Sequence, residues 1–197
     1  MENIKRREAL KRAAWIMGGV ISAPTIVGIL DGCSPKPELI WKPVFFTEDQ
    51  ARLIMEASEV ILPETDTPGA KSLGVPGFIE EMVSTIYPQK TRDQFMKGLA
   101  EFTEECKTKM GDDFISLSKE EQKKFLTEKN NEIRNRTYTR GERERPFFWR
   151  LKELTLVGYY TTEYGATQAL QYIAIPVEQH GCLPLSETGN GKTWATS

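Results

Sequence analysis

From Thr47 onward, apolar residues recur at steps of three and four along most of the chain, in blocks separated by proline, glycine and polar runs. The first block opens at Thr47, with Gln50 three residues later, the pairing of a capping box. Ala51, Ile54, Met55, Ser58, Ile61 and Leu62 then share one helical face, and Pro63 ends it. A second block reopens at Val75-Pro76, carries Phe78, Ile79, Met82, Val83 and Ile86, and closes at Pro88. The third is predicted to start at Thr91, capped with Gln94, with the stripe Phe95, Leu99, Phe102 and Cys106 and a stop at Gly111. Ser118 with Glu121 caps a fourth, which places Phe125, Leu126, Lys129 and Ile133 along one side. After the charged stretch "TYTRGERERP", the segment "PFFWRLKELTLVGYYTTEYG" reads as a longer, mostly buried helix ending at Gly165. Beyond Ala174 the pattern becomes irregular. No two-residue alternation is evident, so the expected class is all-α: a compact helical bundle with an irregular C-terminal tail over residues 47–197.

The first 46 residues follow other rules. "KRREALKRAAWIMGGVISAPTIVGILDGC" has a basic head, an apolar run from Ala13 to Leu30, and then a cysteine, the layout of an export signal over residues 1–32. Gly18, Gly19, Pro24 and Gly28 interrupt that run, which makes it a poor permanent membrane span. Arg6-Arg7 followed by Leu10-Lys11 resembles a twin-arginine signal, although Ala9 stands where a large apolar residue is usual. An ordinary secretory signal with adjacent basic residues is the alternative. Leu30-Asp31-Gly32-Cys33 resembles a lipobox with Cys33 as the acylated residue, Asp31 being an unusual occupant. The other reading is a cysteine that merely follows a signal. The proline-rich segment after it suits a tether over residues 33–46.

A chain of 197 residues with 39% hydrophobic content can bury a core, and its net charge of −2 argues against nucleic acid as a partner. Without residues 1–32, 21 Lys and Arg stand against 25 Asp and Glu, a net −4. The single histidine, His180, rules out schemes needing two imidazoles. Neither a dinucleotide fingerprint nor a P-loop is present, and the Cys-x-x-Cys-His pattern of haem attachment is missing, so no cofactor is expected in this chain.

The segment Pro63-Glu64-Thr65-Asp66-Thr67-Pro68-Gly69-Ala70 is the densest polar candidate. Glu64 and Asp66 could in principle divide acid and base roles, but glycosidic chemistry wants carboxyls set across a cleft. A calcium loop needs more oxygen ligands than this stretch supplies. The simpler reading is a turn that Asp66 and Thr67 cap, Pro68-Gly69 bend and a partner reads. Cys106 and Cys182 form an even pair if Cys33 is acylated, which invites a disulfide; a buried free thiol at Cys106 suits its apolar stripe equally well. Cys182 could instead bridge to a partner. Phe147, Phe148, Trp149, Tyr159, Tyr160, Tyr164 and Tyr172 are more aromatic residues than one helix needs for its core, and tyrosines favour interfaces.

Taken together, "ILPETDTPGAKSLGVPGFIEEM", "FFWRLKELTLVGYYTTEYGATQALQY" and the terminal "HGCLPL" and "GKTWA" resemble the gluconate 2-dehydrogenase subunit 3 family from about Thr47 to Ala195. The resemblance implies a non-catalytic small subunit. Its partner would be a large FAD-dependent oxidoreductase of the glucose-methanol-choline type, with electrons passing on to a cytochrome c subunit or another acceptor. It also implies help with folding and export of that subunit, and a place on the periplasmic side of a bacterial envelope, held by the signal or a lipid anchor. On that reading Glu64, Thr65, Asp66, Pro68 and Gly69, with Tyr159, Tyr160 and Glu163, form or brace the surface that grips the large subunit. A free-standing lipid-anchored binding or scaffold protein, and a hydrolase using Glu64 and Asp66, are the competing classes.

Overall fold

The computed structural model describes residues 37–136, 145–173, 175, 182, 184–187 and 191–195. Among these residues five α-helices occur: α1 (Glu48–Ile61), α2 (Val75–Glu81), α3 (Gln89–Met110), α4 (Lys119–Asn135) and α5 (Phe147–Thr161). Short helical turns of other pitch join them, and no strand occurs among the described residues, so the chain is all-α as expected.

Both predicted capping boxes form. Thr47 Oγ1 accepts from the Gln50 amide while Gln50 Oε1 accepts from the Thr47 amide, and Ser118 and Glu121 repeat the exchange at the start of α4. Gly111, at φ 85°, ends α3 in the left-handed region that glycine enters without a Cβ clash.

Three boundaries differ from expectation. Helix α3 begins at Gln89, directly after Pro88, whose carbonyl accepts from the Thr91 and Arg92 amides. Thr91 is therefore inside the helix rather than its cap. Helix α2 stops at Glu81 and passes into a π-helical turn, Met82–Ile86, whose wider pitch breaks the three-four register and leaves Ile86 60% exposed. Helix α5 ends at Thr161, not at Gly165: the Thr162 hydroxyl accepts from the Gly165 amide, and a second π-helical turn runs over Gly165–Ala169.

The core is aromatic. Phe102 on α3 stands against Phe114, Phe125, Phe147 and Phe148 with ring centroids 5.1–6.4 Å apart, and Phe95 joins Phe46 to Phe147. The predicted stripe Phe95, Leu99, Phe102 and Cys106 is buried throughout. Helix α5 packs against each of the other four helices, which makes the last helix the hub of the bundle. Gly98 allows its approach to α3, for a Cβ there would lie 2.6 Å from Phe147 Cβ. In the C-terminal segment a short 3-10 turn (Leu185–Glu187) and a single parallel bridge between Gln171 and Trp194 are the described regular features.

The segment expected to be a tether is, from residue 37 onward, part of the domain. Phe46 is buried, and Leu39, Trp41 and Phe45 pack against the core. Arg6, Arg7, Cys33 and His180 lie outside the described residues.

Candidate functional site

The proline-flanked loop between α1 and α2 folds around one carboxylate that the sequence did not single out. Glu59, near the end of α1, accepts from the Glu64 amide at 2.9 Å with Oε1 and from the Lys71 amide at 2.8 Å with Oε2. Gly69 lies against the same group, with room for a hydrogen but not for a methyl. The Ala70 amide donates to the Leu62 carbonyl at 2.9 Å, which closes the base of the loop. Thr65 and Thr67 bridge its tip through a backbone bond of 2.9 Å and a hydroxyl contact of 3.3 Å. Pro63 to Thr67 are exposed, Pro68 is half-buried, and Gly69 and Ala70 are buried. The loop is thus solvent-facing at its tip and fixed at its base.

A second hold comes from 91 positions further along the chain: the Tyr159 hydroxyl donates to the Pro68 carbonyl at 3.0 Å. Tyr159 is buried, and its ring meets Tyr160 edge-on at 5.3 Å. Tyr160 is 39% exposed, Val157 one turn earlier is also exposed, and so is Glu163. Two stretches that were separate in the sequence, Glu64 to Gly69 and Tyr159 to Glu163, therefore meet through the Tyr159–Pro68 bond. Tyr159 braces from within, whereas Glu64, Thr65, Asp66, Tyr160 and Glu163 present their side chains to solvent.

Beneath the loop, Glu56 is buried and ion-paired to Lys71, at 2.9 Å, and to Lys119 of α4. Burial pushes its carboxyl up, but hydrogen bonds and charge from Lys119 and Lys71 together hold it below the ordinary glutamate value. On α2, burial likewise pushes Glu80 up, and the Phe46 amide, the Trp41 indole and the Phe45 and Val44 amides outweigh it. A carboxyl with a depressed folded pKa contributes stability that is present above its unfolded value and lost as pH falls through the folded one. We expect the domain to keep its full stability above about pH 5.5 and to lose it progressively below about pH 4.5, the ordinary range for glutamate. Urea midpoints measured from pH 7 to pH 3 check this, and a Glu56→Gln chain should show a flatter slope. An unchanged slope would remove Glu56 from the account.

Of the two readings open for Cys106, the structure has the buried free thiol. Cys106 is a buried free thiol on α3 and Cys182 an exposed one. Burial, with Asp113, Asp112 and Glu105 nearby, raises the Cys106 thiol to about 11, which disfavours the thiolate at neutral pH. Among the described residues no group of His, Cys, Asp and Glu could hold a metal ion, and no helix is long and apolar enough to cross a membrane. A cavity of about 280 Å³ lies elsewhere, between α3 and α4, with Phe102, Phe147 and Phe148 as its floor and Glu101, Lys129 and Glu132 at its rim. None of the loop residues lines it.

Glu56, Glu59 and Glu80 were missed from the sequence because their partners are distant or are backbone amides. One local signal existed for the first: Glu56 sits inside a run, Leu53 to Ser58, that is buried all round, where an acid needs a cation.

Against known families, residues 48–177 match the model described as gluconate 2-dehydrogenase subunit 3. No curated protein and no solved structure matches the chain.

Proposed function

The chain belongs to the gluconate 2-dehydrogenase subunit 3 family and so is an accessory subunit of a dehydrogenase complex; from that premise we propose that its partner is an FAD-dependent flavoprotein of the glucose-methanol-choline type. The small subunit contributes no chemistry of its own in this reading. It assists the folding of the flavoprotein, accompanies it through export on the leader of residues 1–32, and keeps it at the periplasmic face of the membrane. FAD is the partner's cofactor. The flavoprotein oxidises a sugar or sugar acid and passes electrons to a cytochrome c subunit or another acceptor.

The observation that carries this proposal is the loop held rigid at its base and open at its tip. A partner that binds it loses little conformational freedom, because Glu59, Tyr159 and the flanking prolines have already fixed the backbone. Exposed Tyr160 beside it has the apolar body and polar tip favoured at interfaces. No core contact explains why Asp66 should be held outward on so ordered a turn.

Asp66→Ala and Tyr160→Ser alter exposed side chains, so each should change the stability of the isolated chain by no more than about 0.5 kcal/mol. Capture of the flavoprotein by the tagged chain from native membranes should nevertheless fall, by about tenfold or more for the pair if either is a hot spot. The absorbance of bound flavin in the eluate and the yield of the large subunit are the readouts. Unchanged capture by the double variant would place the interface elsewhere. A wild-type chain that elutes alone and colourless, under conditions that keep other membrane complexes whole, would instead favour a free-standing envelope protein.

A further inference from the structure

The Glu80 carboxylate does something the complex-forming role does not require. Its Oε1 accepts from three consecutive backbone amides, Val44 at 2.9 Å, Phe45 at 2.7 Å and Phe46 at 2.9 Å, while Oε2 accepts from the Trp41 indole at 2.6 Å. Successive amides converging on one oxygen form a nest, the backbone device that normally holds a bound anion. Here the anion is a side chain of the same molecule, and the segment that wraps it joins the leader to the helical domain. The wrap draws on three helices. Arg52 of α1 donates from Nε to the Pro37 carbonyl at 3.2 Å. Glu80 belongs to α2. From α3, the Arg92 guanidinium lies over the Phe45 ring at 5.8 Å, and Phe95 stacks on Phe46 at 6.2 Å.

We propose that Glu80 is a latch that docks residues 37–46 as a strap across α1, α2 and α3, and that losing the latch frees the strap while the three helices stay folded. The α2 carboxylate supplies four of the strap's hydrogen bonds, and α1 and α3 add the Arg52, Arg92 and Phe95 contacts. Released, residues 37–46 would add up to about 36 Å of free chain ahead of α1. Val44 is 94% exposed, so its amide bond to Glu80, and not burial of its own side chain, ties it to the domain.

The test uses the full chain. Hydrogen exchange followed by mass spectrometry should show residues 41–46 protected in the wild type. In Glu80→Gln, which keeps the shape and loses the charge, exchange there should quicken by about tenfold or more while residues 95–102 of α3 keep their rates. Chymotrypsin should then cut after Trp41 or Phe45 in the variant well before it cuts elsewhere. Trp41→Phe, which removes one donor and keeps the ring, should give a smaller change in the same direction. Unchanged protection at 41–46 in Glu80→Gln would show that burial of Phe46 holds the strap without the latch and would overturn the proposal. A uniform loss of protection across α3 would overturn it as well, by making Glu80 a determinant of the whole fold rather than of the strap.

Discussion

Replacing Phe102 with alanine is expected to destabilise the domain by about 3–5 kcal/mol, the range for deleting a large aromatic ring from a packed core. Phe102 is the position at which four other rings converge, Phe114, Phe125, Phe147 and Phe148. These arrive from the turn after α3, from α4 and from α5, so no single neighbour can move into the void without giving up its own contacts. Edge-on pairs such as Phe102–Phe125, at 5.1 Å and 63°, add a geometric contribution beyond burial. A domain of this size has roughly 5–15 kcal/mol of total stability, so the variant should unfold in much less urea and bring its helix content down with it. Phe102→Leu, which refills part of the space, should recover a good share. A loss below about 1 kcal/mol for Phe102→Ala would mean that the aromatic cluster relaxes freely and is not the keystone of the core.

Gly69→Ala should be the second most damaging change and the one that most directly couples stability to function. A Cβ there would stand 2.3 and 2.6 Å from the two Glu59 oxygens and 2.7 Å from the Glu64 amide nitrogen. The carboxylate can escape only by releasing the Glu64 and Lys71 amides, each a charge-assisted bond contributing about 1.5–3 kcal/mol. The expected loss is on the order of 3 kcal/mol, with exchange of the Glu64 and Lys71 amides accelerated ahead of the core. Flavoprotein capture should fall with it, because the loop tip is no longer held in one shape. A double-mutant cycle makes this specific. Glu59→Ala removes two of the three atoms that the new methyl strikes, so Gly69→Ala should cost much less on that background, the remainder coming from the Glu64 amide nitrogen. Additive losses would show that the methyl's clash with the Glu64 backbone, and not with the carboxylate, is what damages the loop.

The sequence revealed those elements whose causes are local. Thr47 with Gln50 and Ser118 with Glu121 are complete capping signals within four residues, and both formed. The stripe from Phe95 to Cys106 needs nothing beyond its own spacing to be read as a buried face. The misplaced boundaries come from competition between signals of similar strength. Pro88 can precede a helix as readily as it ends one, and here it does both, closing the Met82–Ile86 turn and opening α3. Gly165 was the more conspicuous breaker, yet the Thr162 hydroxyl broke the helix earlier by capturing an amide. The loop of residues 63–70 was legible as a turn, but its bracing was not. Glu59 acts through the backbone of residues that return to it, and Tyr159 acts across 91 positions, so neither leaves a mark on local periodicity. The same holds for Glu80, whose partners are amides and an indole from a segment that composition alone describes as a tether.

The position of α5 at the centre of the bundle also has a consequence for synthesis. Chains emerge from the ribosome N-terminus first, and α1 to α4 all precede α5, which packs against every one of them. Until Phe147 and Phe148 have left the exit tunnel, the Phe95–Phe102 side of α3 lacks the cover that α5 supplies, and part of a sticky aromatic face is on display during the last part of translation. The domain is in this sense assembled by its final helix. Its most hazardous moment comes seconds before completion, when almost the whole sequence is present and the core is still open.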